Sequence, residues 1–279
     1  MKFGLFGINT GPCADPDVMR NVSVAAENAG FESLWTAEHV VLPDPQAPPS
    51  PAPPLQPFIH TFTALSFIAA ATDKILLGTG ITLIAQRNAV VLAKETASVD
   101  QLSKGRLLFG IGAGYLTQEF EALGINFEER GARTDEYIDA IRELWTSPKP
   151  EFAGQFVNYK GIQSRPLAYQ NGGPPVIVGG TSKAAYRRAI QKGHGWYGFA
   201  LNVASSQESV DALKTLSEST NRSTDLGELE ISITPRVPLT DEVIKQFEDM
   251  GVSRLILLQT GQNEDQMLGY IDQIAKDFL

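Results

Sequence analysis

Two textures of apolar and polar positions alternate along the chain. Short, nearly unbroken apolar runs occupy residues 3–8, 74–84, 106–112, 175–180, 195–201, 229–235 and 254–260, and FESLWTAEH at 31–39 reads as a strand passing into a loop. Between them lie longer stretches in which apolar residues recur every three or four positions, the period of a helix with one buried face. The first such stretch has clear punctuation. Asp15 suits the N-cap, Pro16 the first helical position, Val18, Val22, Ala25 and Ala29 share a face, and Gly30 supplies the stop. Further helices are predicted at 61–72, 88–102, 128–145, 182–192, 206–219, 240–250 and 264–277. The pattern is therefore eight strands, each followed by a helix. Strands without a wet face, separated by helices, make a parallel sheet covered on both sides or closed upon itself. Eight such units in 279 residues favour a (β/α)₈ TIM barrel over an open doubly wound sheet.

No shift in composition marks a second domain, so residues 1–279 are read as one barrel domain with two interruptions. The first is the proline-rich loop from Pro43 to Phe58, too long for a simple connector and expected to be a lid or a wall facing substrate. The second is an insert over about 147–175, read as a hairpin or loop. Its Phe152, Phe156 and Tyr159 are expected to shape the pocket, which points to an apolar or aromatic substrate.

Composition narrows the partners. A net charge of −9 argues against a surface that tracks phosphates, and hence against nucleic acid. A single cysteine, Cys13, forbids an internal disulfide and fits a reducing compartment. The N-terminal apolar run is too short for a signal h-region and no segment approaches about 18 unbroken apolar residues, so a cytoplasmic protein off the membrane is expected.

In a barrel the chemistry sits just beyond the C-terminal ends of the strands. Those positions hold Asn9 and Thr10, then Glu38 and His39, then Gly80, Ile81 and Thr82. Gly112, Ala113, Gly114 and Tyr115 follow the fourth strand, and Gly179, Gly180, Thr181 and Ser182 the fifth. The last three strands offer Asn202, Arg236, and Gln259 with Thr260. Glycines dominate and charges are few, as suits a large planar or phosphorylated ligand held close to backbone. The GGTS stretch at 179–182 opens a helix and presents N–H groups and hydroxyls to an anion, although a bare turn and N-cap would look the same. LLFGIGAGY at 107–115 begins like a dinucleotide fingerprint, but Tyr115 stands where the third glycine belongs. Glu38-His39 is the one acid–histidine pair at a strand end, and the imidazole can donate, accept or balance an anionic ring. His60 and His194 do not join it.

Several chemistries lack their residues. Three scattered histidines without His-x-His argue against a metal site, and no lysine at a strand end supports a Schiff base. A glycosidase needs two facing carboxylates. Glu38 has no evident second, because Glu119 lies beyond its strand.

FESLWTAEH, ILLGTGITL, RNAVVLAKETASVDQLSKGRLLFGIGAGY, PPVIVGGTS, AIQKGHGWYGF and GVSRLILL occur in that order over nearly the whole chain. With these motifs the chain resembles the bacterial luciferase-like superfamily of flavin and deazaflavin oxidoreductases, especially the members that use coenzyme F420. The resemblance implies a TIM barrel with the cofactor ring in its mouth. It also implies a non-prolyl cis peptide at the end of the third strand, here Gly80-Ile81, bulging against one ring face. Glu38 and His39 would approach the ring as the catalytic pair, with Glu38 at its polar edge. Gly179, Gly180, Thr181 and Ser182 would hold the ribityl phosphate. Gly80, Ile81, Thr82, Gly112, Ala113, Gly114 and Tyr115 would surround the rest of the cofactor. Sugar-phosphate dehydrogenases of the family carry a glutamate where this chain has Tyr115, so that reaction is not implied.

The expected activity is hydride transfer between F420 and a small organic substrate, with Arg87, Lys183 and Arg187 as candidates for the anionic cofactor tail. Alternatives are an FMN-dependent monooxygenase or reductase, a non-catalytic cofactor-binding barrel, and a non-redox barrel enzyme acting on a phosphorylated metabolite. Relatives are often dimers, so the resemblance extends to a homodimer.

Overall fold

Each apolar run becomes a strand, and the strands pair in parallel around a closed ring. The computed structural model describes residues 1–279. In chain order the strands are β1 (Lys2–Phe6), β2 (Ser33–Thr36), β3 (Leu76–Thr79), β4 (Thr82–Leu83), β5 (Leu107–Gly112), β6 (Phe152–Ala153), β7 (Asn158–Tyr159), β8 (Val176–Gly179), β9 (Gly195–Leu201), β10 (Glu230–Pro235) and β11 (Arg254–Leu258). The helices are α1 (Pro16–Ala29), α2 (Thr61–Ala71), α3 (Ala89–Leu102), α4 (Thr117–Ala122), α5 (Arg130–Thr146), α6 (Lys183–Lys192), α7 (Val203–Glu218), α8 (Asp241–Met250) and α9 (Glu264–Phe278). Around the barrel the order is β1, β2, β3, β5, β8, β9, β10, β11, and β11 returns to β1 in register from Lys2↔Arg254 to Phe6↔Leu258. This is the eight-stranded TIM barrel that the pattern predicts. No helix is long and apolar enough to cross a membrane.

The alternation of side chains along each strand sorts them into two layers. Phe3, Leu5, Leu34, Phe109, Val178 and Leu255 face outward into a 48-residue cluster shared with the helices. Their neighbours Phe6, Trp35, Leu108, Ile177, Tyr197 and Ile256 face inward and form a second cluster that plugs the barrel. The plug depends on the absence of a side chain at Gly78, where a Cβ would lie 2.4 Å from the Trp35 ring. Below the plug, buried Arg254 pairs with Glu32 at 2.6 Å and Glu230 at 2.9 Å. A guanidinium at this depth is tolerable because both carboxylates and Ser232 meet its donors. Barrel interiors filled in this way leave ligand space only at the ends.

Three features modify the expected pattern. The predicted strand 74–84 is divided by a cis Gly80-Ile81 bond into β3 and the two-residue β4, which pairs with Ile111 and Gly112. The segment beyond β5 contains α4, six residues whose Phe120 is buried against Phe127, too short to show a helical period. The 147–175 insert does form a hairpin, β6–β7, but it does not reach the barrel mouth. Glu136 on α5 accepts the backbone N–H groups of Gln155, Phe156 and Val157, each at 2.7 Å, and Arg133 lies over the Phe156 ring. Tyr159 donates to the Ala140 carbonyl at 2.6 Å. Phe152, Phe156 and Tyr159 therefore cover the outside of the barrel rather than a pocket.

Candidate active site

A cavity of about 990 Å³ opens at the C-terminal ends of the strands. That is the upper end of the range for small-molecule sites, about 300–1,000 Å³, and ample for a tricyclic cofactor with a substrate beside it. Its floor is the top of the barrel plug, where Phe6 and Phe199 meet with ring centroids 5.0 Å apart and Tyr197 lies beneath. Buried Tyr197 shares a 2.6 Å hydrogen bond with Thr234, so its hydroxyl is engaged in the barrel rather than offered to a ligand.

The proline-rich loop forms one wall, contributing Pro51, Ala52, Pro53, Gln56 and Phe58 as expected. Residues after β1 tie it down. Asn9, fully buried, donates to the carbonyls of Ala37 and Ile59 at 2.9 and 2.6 Å and accepts from the Ala37 N–H at 2.8 Å. Thr10 donates to the Pro57 carbonyl at 2.8 Å and receives the Gln56 amide at 3.0 Å. These two residues, expected among the polar groups of the site, act chiefly as anchors of the loop.

Gly80, Ile81, Gly112, Ala113, Gly114, Tyr115, Gly179, Gly180, Thr181 and Ser182 all border the cavity together with Glu38 and His39. Thr82 does not. It is wholly buried in the β4–β5 pairing with its hydroxyl unpartnered, because the strand pleat turns it away from its cavity-lining neighbour Leu83. The glycines also serve a different purpose from close approach to a ligand. A Cβ on Gly110 would lie 1.8 Å from the Thr79 carbonyl oxygen, and one on Gly112 would lie 2.0 Å from Ile81 Cδ1. One on Gly179 would meet the same methyl at 3.0 Å. Three inward positions on β5 and β8 are thus empty so that the Gly80-Ile81 bulge can seat its side chain in the barrel.

At the opposite wall Gly180, with φ of +111°, turns β8 into α6. Ser182 caps the helix by accepting from the Ala185 N–H at 3.2 Å, while Thr181, Ser182 and Lys183 stay exposed. No acidic residue occupies the first turn of α6, so its positive end is open to an anion. Sequence reasoning missed Arg188 here. It is buried in the cavity wall one turn further along α6, held by Asp135 at 2.7 Å and the Gly131 carbonyl at 3.3 Å. Its sequence signal is only adjacency to Arg187 in a short basic pair, which does not mark it as buried.

The charged groups cluster on the β2 side. Glu38 is buried, and Arg87 holds its Oε1 at 2.9 Å while Oε2 has no partner. Burial outweighs the guanidinium, and the Glu38 pKa rises above the ordinary carboxylate value. Arg87 is engaged through both terminal nitrogens, while its buried Nε has no partner. It reaches His60 Nε2 at 3.0 Å and Glu95 at 3.6 Å and lies over the Phe62 ring, so it is not free for a cofactor tail. Burial and Arg87 together lower the pKa of His60, which leaves its ring a neutral acceptor. His60 thus sits one contact behind the site, while His194 accepts from the Val176 N–H at the far end of β8.

His39 stands at the cavity wall between Phe58 and Tyr115, both edge-on, at 5.6 and 6.0 Å. Behind it is Glu119, which sequence reasoning set aside as lying beyond its strand. The short helix α4 brings this carboxylate inward to 3.5 Å from His39 Nδ1. It also accepts the Val40 N–H at 2.6 Å and the Gln86 amide at 3.0 Å. Burial pushes its pKa up, but the contacts from His39, Gln86 and Val40 more than offset this and leave it below the ordinary value. A second buried carboxylate therefore stands one layer behind the cavity wall, the one that the sequence did not reveal.

A family model described as luciferase-like monooxygenase matches residues 1–247. The chain belongs to that family. The luciferase-like enzymes are oxidoreductases and monooxygenases. An uncharacterized protein of Mycobacterium tuberculosis is 27% identical over 241 residues, 84% of this chain and 82% of that one. The oxygenase component of a flavin-dependent trigonelline monooxygenase from Acinetobacter baylyi is 30% identical over 179 residues, 63% of this chain and 46% of its own. Among solved structures, an F420-dependent secondary alcohol dehydrogenase in complex with an F420-acetone adduct superposes with a TM-score of 0.78 at 16% identity, covering 99% of this chain and 97% of that one. That likeness concerns the fold.

Proposed function

We propose that this luciferase-like protein transfers a hydride between F420 and a small organic substrate. The observation that carries the reading is a buried, unpartnered carboxylate oxygen on the cavity wall, Glu38 Oε2, beside an otherwise apolar floor. Buried polar atoms are normally paired, and a heteroaromatic ring with a polar edge would pair this one. The remaining lining fits the same group. Gly179, Gly180, Thr181 and Ser182 with the α6 N-terminus suit a phosphate, with Arg188 close by. The backbone of the Gly80-Ile81 bulge and the Gly112–Gly114 turn suit the flat ring, and Lys183 and Arg187, exposed on α6, would be the cations nearest that phosphate end of the cavity in sequence.

When bound, a deazaflavin supplies the hydride chemistry. The chain supplies the rest. Phe6, Phe199 and the proline wall keep water from the reacting carbon, Glu38 donates or accepts at the ring edge according to its protonation, and His39 holds or releases a proton. The chain's own wall selects an apolar substrate, since its unpaired charges are few.

Titration with F420 and with FMN, followed by cofactor fluorescence, tests the assignment. F420 is expected to bind and to be reduced or oxidised in turn; tight FMN binding without F420 binding would overturn it. His39→Ala is expected to lower turnover by about 10²–10⁴-fold, the usual worth of a proton-transfer group, at temperatures where circular dichroism shows the variant folded. Turnover equal to the parent protein's would remove His39 from the reaction.

A further inference from the structure

Two buried carboxylates, Glu38 on the cavity wall and Glu119 behind His39, are neutralised differently. Glu38 faces Arg87, a permanent cation, at 2.9 Å. Glu119, 1% exposed, has no Lys or Arg partner, and its single ion-pair partner is His39. The Val40 N–H and the Gln86 amide, at 2.6 and 3.0 Å, fix the carboxylate so that Oε2 stays 3.5 Å from His39 Nδ1. On the other side of the imidazole, Nε2 lies 3.5 Å from the Tyr115 hydroxyl. Tyr115 is 47% exposed and borders the cavity, so its oxygen can meet both His39 and a substrate. Phe58 closes the other flank of the ring and limits its rotation.

We propose that Glu119, His39 and Tyr115 form a proton relay leading from the barrel wall into the cavity. Tyr115 is the group that meets the substrate oxygen, His39 carries the proton, and Glu119 is the positioning residue that keeps His39 with Nδ1 protonated and Nε2 free to accept. The relay rests on the oxidoreductase reading above and adds a substrate class to it, an apolar alcohol or its carbonyl counterpart. In the oxidising direction the carbinol carbon loses its hydride to the deazaflavin and the C–O bond becomes C=O. The hydroxyl proton moves to the Tyr115 oxygen as the phenolic proton moves to His39 Nε2. The alcohol is oxidised by two electrons, the deazaflavin is reduced by two, and the proton remains on His39 as imidazolium. The Glu119 carboxylate lies where that charge develops, and in a buried site such a fixed countercharge favours the transfer. Reduction of the carbonyl runs the same steps backward. Contacts of 3.5 Å at both ends leave room to tighten when substrate fills the cavity.

The relay can be read without cofactor. With three histidines in the chain, single substitutions assign the ¹⁵N signals of His39 in labelled protein. The neutral ring is expected in the Nδ1–H form. Glu119→Gln, which places an amide opposite Nδ1, is expected to shift the ring toward the Nε2–H form, and Tyr115→Phe to move the Nε2 signal alone. An Nε2–H ring in the parent protein, or identical spectra in all three proteins, would overturn the relay. In the loaded enzyme Tyr115→Phe is expected to lower kcat on an alcohol by about 10²–10⁴-fold while KM changes by less than about threefold, a transition-state loss rather than a binding loss. An undiminished kcat would also overturn it. Should the protein bind FMN and not F420 while the nitrogen spectra behave as stated, the cofactor assignment falls and the relay stands.

Discussion

Replacing Gly110 by alanine tests whether the glycines of β5 serve the fold or the ligand. The new Cβ would lie 1.8 Å from the Thr79 carbonyl oxygen and 3.0 Å from its carbon, and both are backbone, so neither can rotate away. Relief requires β3 and β5 to separate at the seam where Leu77 and Gly78 pair with Leu107 and Leu108. The same movement breaks the 2.5 Å hydrogen bond from the Thr79 hydroxyl to the Gly110 carbonyl. Overpacking of this kind costs about 1–3 kcal/mol, and a lost buried hydrogen bond adds about 1 kcal/mol, so a loss of about 2–4 kcal/mol is expected. At about 2–4 °C per kcal/mol for a large domain, the melting temperature falls by roughly 4–16 °C. Gly269, in the middle of α9 with open space around its Cβ position, provides the contrast. Gly269→Ala is expected to gain about 0.5–1 kcal/mol from helix propensity alone. Thermal melts followed by circular dichroism, with no cofactor added, measure both. A Gly110→Ala protein melting within about 2 °C of the parent would refute the packing account, given the sensitivity assumed above. Gly112→Ala should fall between them, because its new contact is the Ile81 Cδ1 methyl, the end of a side chain that can turn.

Other expectations follow from single contacts. Arg87→Met leaves Glu38 buried without a countercharge and should cost about 3–5 kcal/mol near pH 8 by urea unfolding. Since the folded pKa of Glu38 is already raised by burial, stability linked to it is present at low pH and lost as pH rises through that value. The deficit of the variant should therefore shrink toward acid; a deficit independent of pH would contradict the assignment. For Glu119 the sign is opposite: its lowered pKa contributes stability above the ordinary carboxylate range that disappears on acidification, so Glu119→Gln should be most destabilised at neutral pH. Glu136→Ala frees three backbone N–H groups of the β6–β7 hairpin and should cost about 2 kcal/mol, while F420 affinity stays unchanged because the hairpin is remote from the cavity. Cys13, buried with its pKa pushed up to about 12, should react with a thiol reagent only after unfolding.

The barrel was legible because its signal is distributed over the whole chain: seven apolar runs and one strand-to-loop segment, alternating with helical periods, have few other solutions. The strand-end rule then placed Glu38, His39 and the two glycine clusters at the cavity. What it left hidden depends on chain reversals that no periodicity encodes. Glu119 lies seven residues past the end of β5 on a six-residue helix, and only the burial of Phe120 turns it inward. Arg87 carried the right charge for a cofactor tail, yet the bend after β4 points it at Glu38. The aromatic residues of the insert were read as pocket-forming because aromatics line pockets and cores alike, and residue type does not distinguish the two.

That distinction bears on the cofactor. F420 and FMN share a ribityl phosphate and a tricyclic ring, so the α6 N-terminus, Gly179–Ser182 and the bulge at Ile81 suit both and cannot discriminate. The rings differ at the atom that receives the hydride, carbon in the deazaflavin and nitrogen in the flavin, and the carbon exchanges electrons in pairs. A reaction confined to hydride transfer must move one proton for each hydride when the substrate is an alcohol or a carbonyl. The chain provides one titratable ring, His39, placed between a fixed buried carboxylate and a half-exposed phenol. Arg87 consumes the charge of the other carboxylate. One proton carrier with one countercharge meets that need, and it would meet it equally for hydride transfer to a flavin, so the titrations with F420 and with FMN are the measurements that separate the two cofactors.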